Sequence, residues 1–268
     1  MFLTQLKRGI GLLILLLVLG SCSEYQQLIK KGDLAAKTKA AEAYYKEGNY
    51  KKALRLFELI VPAYRGKPQA ERILFYEADT YYQLRDYYIS AYKLDRFAIA
   101  FPKSDKRPEV EFKAARSTYE LSARYSLDQT DTYEGLDKLQ RFINDNPDSE
   151  YVEDASKYAL ELQGKLERKY YEIAKRFHHR EIYKSAIKAF DNYLIDYPGS
   201  QYTEQALFYK QDSAYKLAIN SFANLVPERL KTAKEFNENY LKYSKDDNYK
   251  QKAQKISEDI TKRLQSVN

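Results

Sequence analysis

The sequence is poor in the residue types that catalytic and metal sites depend on. Its 268 residues include one cysteine, two histidines, one methionine and no tryptophan. The histidines, His178 and His179, are adjacent and point to different sides of a helix, so a zinc site of the usual spacing is not expected. Motifs such as GxSxG, HExxH or a phosphate-binding glycine-rich loop are also missing. We therefore predict no enzyme, no metal and no cofactor.

Glycine and proline are scarce too, at nine and seven, among many alanine, leucine, lysine and glutamate residues. This composition favours helices over strands. Tyrosine is abundant, at 27 residues, and the formal net charge is +7. A basic balance suits an anionic lipid or an acidic protein partner, although lysine and arginine interleave with acids as on any solvated helical surface.

The first residues have the pattern of an export signal. Lys7 and Arg8 precede an apolar run, Leu12 to Leu19, which at roughly ten residues is shorter than the roughly 20 of a membrane span. The following Leu19-Gly20-Ser21-Cys22 resembles a lipobox, in which the cysteine becomes the acylated N-terminus. We predict a signal peptide at 1–21 and lipidation of Cys22; the alternative is an ordinary signal with a chance cysteine. Nucleic acid is not an expected partner of an exported chain.

Ser23 follows the cysteine, where an aspartate keeps many lipoproteins at the inner membrane. Only one acid, Glu24, lies in the next five positions, fewer than in surface-export signals. By resemblance to such signals, the expected location is the periplasmic face of the outer membrane. Residues 22–32 are expected to be a tether, and 33–268 a single repeat domain.

Three segments of the chain share one sequence pattern, in which an aromatic residue lies five positions before a proline and a serine lies two positions after it. Proline cannot continue a helix, and a serine is a favoured N-cap, so each segment predicts a junction between two helices. The segments are Phe97–Pro102–Ser104, Phe142–Pro147–Ser149 and Tyr193–Pro198–Ser200.

Upstream of these junctions lies the spacing of the tetratricopeptide consensus, as in Tyr44, Gly48-Asn49-Tyr50, Ala53 and Phe57. Each such unit is a helix pair that needs its neighbours to bury its apolar face. We predict an all-α, right-handed solenoid of five tetratricopeptide-like pairs. Its last helix should be a capping helix, with Tyr249, Ala253, Ile256, Ile260 and Leu264 on one face.

The lipobox, the five units and the repeated junctions together resemble the BamD family of the outer-membrane β-barrel assembly machinery. The polar insertion Tyr125–Thr130 ahead of Phe142–Tyr151 is similar to that family's third repeat, although Asn146 replaces the usual aromatic before proline. The resemblance implies a scaffold that binds the periplasmic domains of BamA and unfolded barrel proteins, with other subunits of the complex as further partners. It implies no cofactor.

The resemblance also implies that the first repeats receive a peptide ending in an aromatic residue. In a tetratricopeptide pair the first helix lines the concave face, where aromatic platforms beside cations would suit such a peptide. Phe75 and Tyr82 could instead only pack between helices. Projected from the consensus, the groove residues are Tyr45, Arg72, Phe75, Asp79, Tyr82 and Lys113, with Glu42 and Ser117 beside them.

The resemblance implies that the BamA contact lies on the polar insertion and the last repeats, here Asp128, Asp131, Arg229 and Lys231. Two other functions compete with this one. The first is a periplasmic adaptor for cell-wall enzymes. The second is a surface lipoprotein that binds glycans, for which this chain lacks tryptophan and an inserted domain.

Overall fold

The computed structural model describes residues 24–267, with side chains to residue 266, and within that range the secondary structure is entirely helical. The predicted signal peptide and Cys22 lie outside the described residues. The all-α class and the serial helix pairs of a tetratricopeptide-like solenoid are confirmed. The helices are α1 (24–31), α2 (Leu34–Lys46), α3 (Tyr50–Tyr64), α4 (Ala70–Gln83), α5 (Tyr87–Ala100), α6 (Arg107–Leu121), α7 (Thr130–Asp145), α8 (Val152–His179), α9 (Tyr183–Asp196), α10 (Thr203–Ile219), α11 (Val226–Tyr243) and α12 (Asp247–Val267), with a short 3-10 turn at Ala223–Leu225.

Two compact units make up the described chain. Unit 1 comprises residues 24–122 and 131–159, and unit 2 comprises residues 123–130 and 160–267. The core of unit 1 includes Leu56, Phe57 and Ile60 of α3, each almost fully buried. The core of unit 2 is centred on Phe190 and Tyr193 of α9. In both cores, neighbouring helices bury their apolar faces against one another.

The turns inside three helix pairs share one backbone conformation, a residue with positive φ. Gly48, Arg85 and Glu181 all have positive φ, at 74°, 61° and 61°, and in each case the next helix starts two residues later on a tyrosine. A left-handed residue ends a helix and reverses the chain, at a cost of roughly 1–2 kcal/mol when a Cβ is present. Equivalent positions of three repeats thus share the same conformation despite different side chains.

The junctions between pairs fall at the predicted prolines, but their serines are not N-caps. Helices α6 and α10 begin after Lys106 and Tyr202, two residues beyond the serine. In each junction the serine Oγ accepts a hydrogen bond from the backbone N–H two positions later, at 3.1 Å for Ser104, 3.4 Å for Ser149 and 3.2 Å for Ser200. The N-cap prediction is therefore wrong by two residues, because the serine closes the turn that precedes the helix.

The last helix packs as the sequence predicts. Ala253 and Ile260 of α12 are fully buried, and Tyr249, Ile256 and Leu264 pack against the same clusters. The side-chain amide of Asn237 on α11 donates hydrogen bonds to Gln211 on α10, at 3.0 Å, and to the carbonyl of Ala253, at 2.8 Å. Helices α10, α11 and α12 are thereby joined through a buried polar contact.

One of the two histidines is part of the unit 2 core. His178 is 6% exposed, with Nδ1 at 2.9 Å from Ser213 Oγ and Nε2 at 3.2 Å from Asp212 Oδ2. Burial disfavours the charged imidazole and lowers its pKa to about 4, with Asp212 opposing the shift and Lys216 adding to it. His178 is therefore neutral at pH 7.

We expect the free energy of unfolding of unit 2 to fall as the pH is lowered. A histidine in the unfolded chain takes up its proton near pH 6.5, whereas folded His178 takes it up near pH 4, so the unfolded state binds more protons between these values. The contribution of the neutral imidazole, present above pH 6.5, is lost toward pH 4 and amounts to roughly 2–3 kcal/mol. Urea unfolding at pH 7 and pH 4.5 measures it, with His178→Gln as the variant whose loss should be smaller. If the native chain is instead more stable at pH 4.5, His178 forms a charged pair with Asp212.

Candidate functional site

Three first helices of successive pairs, α2, α4 and α6, are tied together by one buried carboxylate. Asp79 on α4 is fully buried. The Tyr45 hydroxyl on α2 donates a hydrogen bond to its Oδ2, and Lys113 Nζ on α6 donates one to its Oδ1 at 2.5 Å. All three belong to the predicted groove set, and the structure brings them into direct contact.

The charges at this contact stabilise one another. Burial alone would lower the pKa of Lys113, but the charges and hydrogen bonds of Asp79 and Glu109 outweigh it and raise the pKa above its usual value. Burial works against ionised Glu109, yet its bonds with Lys113 and Lys106 hold its pKa below the usual range. Desolvation, followed by the hydrogen bond to Asp79, raises the pKa of Tyr45, whose hydroxyl therefore stays protonated as a donor. Lys113 is thus a fixed, compensated cation.

Beside this contact lies an open groove of about 560 Å³, within the size range of ligand sites. Its floor is aromatic, with Phe75 at 6.0 Å from Phe97 and Tyr76 at 4.7 Å from Tyr45, measured between ring centroids. The lining residues are Tyr45, Pro68, Glu71, Arg72, Phe75, Tyr76, Phe97, Lys106 and Glu109. The predicted residues Tyr45, Arg72 and Phe75 therefore share one groove.

Two cations stand at the edge of this groove with much of their side chains in solvent. Arg72 is 57% exposed and lies 3.1 Å from Glu42, and Lys106 is 55% exposed and lies 2.9 Å from Glu109. Lys106 Nζ is also 5.1 Å from the Phe75 ring centroid, where a cation is attracted to the ring face. Each cation has one carboxylate partner and more than half of its side chain in solvent, so a second anion can reach it.

Of the predicted aromatic groove residues Phe75 and Tyr82, Phe75 lines the groove and Tyr82 does not. Phe75 is 8% exposed and packs in the core of unit 1, but it also forms part of the groove floor. Tyr82 is half-buried, outside the groove lining, with Lys113 Nζ at 5.5 Å and the Arg116 guanidinium at 5.8 Å from its ring centroid. The two roles considered for Phe75, packing and lining, are therefore both present.

The predicted partner residues lie on three separate elements. Asp128 is exposed in the polar insertion, where hydrogen bonds from Thr130 hold its pKa below the usual range. Asp131 is in the first turn of α7. On α11, Arg229 donates a hydrogen bond to Ser221 Oγ, and Lys231 is exposed.

The polar insertion is an ordered loop within unit 2. Buried Gln129 donates hydrogen bonds to the carbonyls of Arg124, at 2.9 Å, and Asp128, at 2.9 Å. Lys169 on α8 donates to the carbonyl of Leu127 at 2.7 Å. These bonds give the loop a fixed conformation, with Asp128 at its surface.

A second groove of about 520 Å³ lies between α5, α6 and α7, but its charges are paired. Lys138 is 2.6 Å from Asp95, and Arg107 is 2.7 Å from Glu111. Phe142 is its one aromatic lining residue. The groove on α2, α4 and α6 offers more aromatic surface and is the stronger candidate for binding a peptide.

Sequence reasoning missed several lining residues of that groove, namely Tyr76, Phe97, Lys106 and Glu109. It also missed the mutual pairing of three residues that it named. Tyr45, Asp79 and Lys113 are each 34 positions apart, which is the tetratricopeptide period. Residues one period apart occupy equivalent places on adjacent first helices, so this spacing could have predicted the contact.

Membrane spans and metal clusters are two further features that bear on function. Between residues 24 and 267, none of the helices combines the length and the apolarity that a membrane crossing requires. Over the same range, no group of three or more histidine, cysteine, aspartate or glutamate residues is arranged to hold a metal ion.

Comparisons with known proteins agree on one family. The model of the YfiO family, described as outer membrane lipoproteins, matches residues 34–230. The outer membrane protein assembly factor BamD of Pasteurella multocida is 22% identical over 192 residues, covering 68% of this chain and 74% of its own. BamD of Haemophilus influenzae is 21% identical over 227 residues, covering 81% and 87%. A designed self-assembling cyclic homo-oligomer aligns over 97% of this chain and 96% of its own at 13% identity, but its TM-score of 0.20 supports no structural argument.

Proposed function

The chain belongs to the YfiO family of outer membrane lipoproteins, and from this premise we propose that it is a scaffold of outer-membrane protein assembly. Anchored by acylated Cys22 at the periplasmic face of the outer membrane, it would bind the periplasmic domains of a BamA-like barrel protein and pass unfolded barrel proteins to it. The names of the two relatives, both assembly factors, support this role. The proposed activity is binding, without catalysis or a cofactor.

The observation that carries the proposal is the groove on α2, α4 and α6. An aromatic floor accepts aromatic side chains of an extended peptide, and exposed cations at the edge accept a carboxylate. A peptide that ends in an aromatic residue offers both groups within one residue. The groove therefore fits the C-terminal segment of an unfolded barrel protein.

Within this groove, Arg72 and Lys106 are the residues we assign to the peptide carboxylate. Lys113 already has two carboxylate partners, Asp79 at 2.5 Å and Glu109 at 2.7 Å, and its side chain is 15% exposed. Drawing it away would leave buried Asp79 uncompensated. Arg72 and Lys106 each have a single carboxylate partner, and more than half of each cationic side chain is in solvent, where a peptide carboxylate can reach it.

For the barrel-protein partner we propose a surface of the polar insertion and α11. Asp128 is exposed on a loop held in place by Gln129 and Lys169, and Lys231 is exposed on α11. Arg229, also on α11, belongs to the same proposed surface of unit 2, and Asp131 of unit 1 is carried from the family as a separate contact residue. A fixed conformation lowers the entropy cost of forming an interface.

Co-purification from detergent-solubilised envelopes tests this proposal. With a tagged chain, we expect a large barrel protein with periplasmic domains to co-purify in near-equal amount. Charge reversals by Asp128→Lys and Arg229→Glu should lower its recovery roughly tenfold or more, because like charges across an interface are repulsive. The matched controls are Glu235→Lys and Lys250→Glu, at exposed positions of unit 2, and these should retain the partner.

Other outcomes separate the competing functions. Recovery of cell-wall hydrolases or synthases in place of a barrel protein would identify the chain as an adaptor for those enzymes. Recovery of the barrel protein by both charge-reversal variants would support the scaffold function but reject the proposed partner surface.

A further inference from the structure

Helix α1 is attached to the first helix pair by a buried aromatic residue. Tyr25 is 9% exposed, and its hydroxyl donates a hydrogen bond to the Lys52 carbonyl at 2.9 Å. Its ring meets the Tyr44 ring edge-on, with centroids 5.5 Å apart. Lys52 Nζ lies 5.4 Å from one centroid and 5.1 Å from the other. The contact joins the start of α1 to the turn between α2 and α3.

Two aliphatic residues of α1 extend this attachment. Leu28 and Ile29 pack against the same core as Tyr25, which also includes Phe57. Burying a tyrosine ring removes a large apolar area from water and stabilises the attached state. The segment 24–31 is therefore part of the folded unit, although the sequence assigned it to a tether.

The anchor is consequently short. Cys22 and Tyr25 are three positions apart in the sequence, and three residues span at most about 10 Å. This bound follows from bond lengths and holds for any conformation of the intervening residues. A lipid on Cys22 would hold Tyr25, which contacts Tyr44 and Lys52, within about one Debye length of the acylated residue. The α2–α3 turn beside Tyr25 is therefore kept near the membrane surface.

Basic side chains surround the turn that this anchor positions. Residues 44–58 include four basic residues and two acidic ones. Lys46 and Lys51 are exposed on either side of the turn, and the Arg55 side chain is 62% exposed. Arg55 lies 3.9 Å from Glu58, a loose pair that leaves its guanidinium available. The surface nearest the anchor is therefore positively charged.

We propose that α1 and the α2–α3 turn form a lipid-contact face, on which Lys46, Lys51 and Arg55 bind anionic phospholipid head groups. The inference rests on the proposed anchor at Cys22 and adds a second, electrostatic attachment to it. The occupant is a bilayer because the short chain between Cys22 and Tyr25 keeps this face near the lipid head groups, and its positive charge is complementary to anionic ones. One acyl chain binds a membrane only marginally, whereas a chain combined with a basic patch binds stably.

Vesicle partitioning of the mature chain, residues 22–268, tests this face. Cys22 is the only cysteine, so a maleimide bearing a single acyl chain couples to it selectively. We expect the coupled chain to bind vesicles of phosphatidylcholine and phosphatidylglycerol more tightly than vesicles of phosphatidylcholine alone, and added salt to remove the difference. The triple variant Lys46→Gln, Lys51→Gln, Arg55→Gln should lose roughly 10- to 100-fold in binding to the anionic vesicles.

Matched variants separate the effect of where the charges lie from the effect of net charge. The triple variant Lys184→Gln, Lys188→Gln, Lys250→Gln removes the same charge from exposed positions of unit 2 and should bind like the native chain. Tyr25→Ala should weaken anionic binding by releasing α1 and lengthening the tether, whereas Tyr25→Phe, which keeps the ring, should retain it. Equal binding by the two triple variants, or no preference for phosphatidylglycerol, would overturn the proposal.

The anchor itself is tested separately, by mass spectrometry of the chain extracted from envelopes. An unmodified Cys22 there would refute the lipid anchor and leave the vesicle result unchanged, because coupling in that experiment is chemical. Failure of the lipid-contact face is thus distinguishable from failure of the anchor.

Discussion

Replacing Asp79 by leucine is expected to destabilise unit 1 by about 3–5 kcal/mol, the cost of breaking a buried ion pair by removing one of its members. Asp79 is fully buried, Lys113 is 15% exposed, and the two are 2.5 Å apart. The substitution leaves Lys113 with Glu109 alone and removes the acceptor of the Tyr45 hydroxyl. Urea unfolding, followed by hydrogen exchange in α2, α4 and α6, measures the loss.

A double variant tests the cause. Asp79→Leu combined with Lys113→Met removes both charges and fills the space with apolar atoms, and such replacements of buried pairs are often near neutral. We expect the double variant to be more stable than Asp79→Leu alone, retaining a cost of about 1 kcal/mol for the Tyr45 hydroxyl. If the double variant is less stable than the single one, packing rather than charge accounts for the importance of Asp79.

Removing either cation at the groove edge is expected to weaken the binding of a peptide that has a free C-terminal carboxylate. Arg72→Gln and Lys106→Gln should each lower the affinity for a short peptide ending in phenylalanine by roughly 10- to 100-fold, since a hydrogen bond to a charged group contributes about 1.5–3 kcal/mol. Both side chains are more than half exposed, so neither change should alter the fold. Titration with a fluorescent peptide measures the dissociation constant.

The peptide provides its own control. The same sequence with an amidated C-terminus has no carboxylate, and we expect it to bind weakly and equally to the native chain and both variants. Arg65→Gln and Lys103→Gln remove exposed cations of unit 1 from outside the groove lining and should leave binding of the free peptide unchanged. Equal affinity of the native chain for the free and amidated peptides would refute carboxylate recognition at this groove.

Much of the fold could be predicted from the sequence because its signals are local. Proline ends a helix wherever it stands at such a junction, so Pro102, Pro147 and Pro198 marked the boundaries between pairs. The apolar face of α12 could also be predicted, since Ala253 and Ile260 follow the helical period. These predictions needed no knowledge of contacts across the structure.

The predictions that failed or fell short depended on contacts that local patterns do not reveal. A serine after proline can cap a helix or close a turn, and Ser104 does the latter while also donating a hydrogen bond to Glu71. Likewise, the polar residues after the lipobox were predicted to form a tether, but the Tyr25 side chain is buried against the first helix pair. In the groove, the sequence predicted the lining residues Tyr45, Arg72 and Phe75 but missed the others. The pairing of Asp79 with Lys113 required the repeat period to be applied to side chains.

The buried Asp79 contact has a consequence for how a partner would be received. Because one carboxylate on α4 bonds to both α2 and α6, neither of these helices can separate from α4 without removing a hydrogen-bond partner from buried Asp79. Repeat proteins otherwise flex between neighbouring units, since each unit contacts only the next. The groove is thus preorganised, and an incoming peptide has little protein motion to arrest. We expect affinity differences among peptides to appear mainly in their rates of release, with similar rates of association.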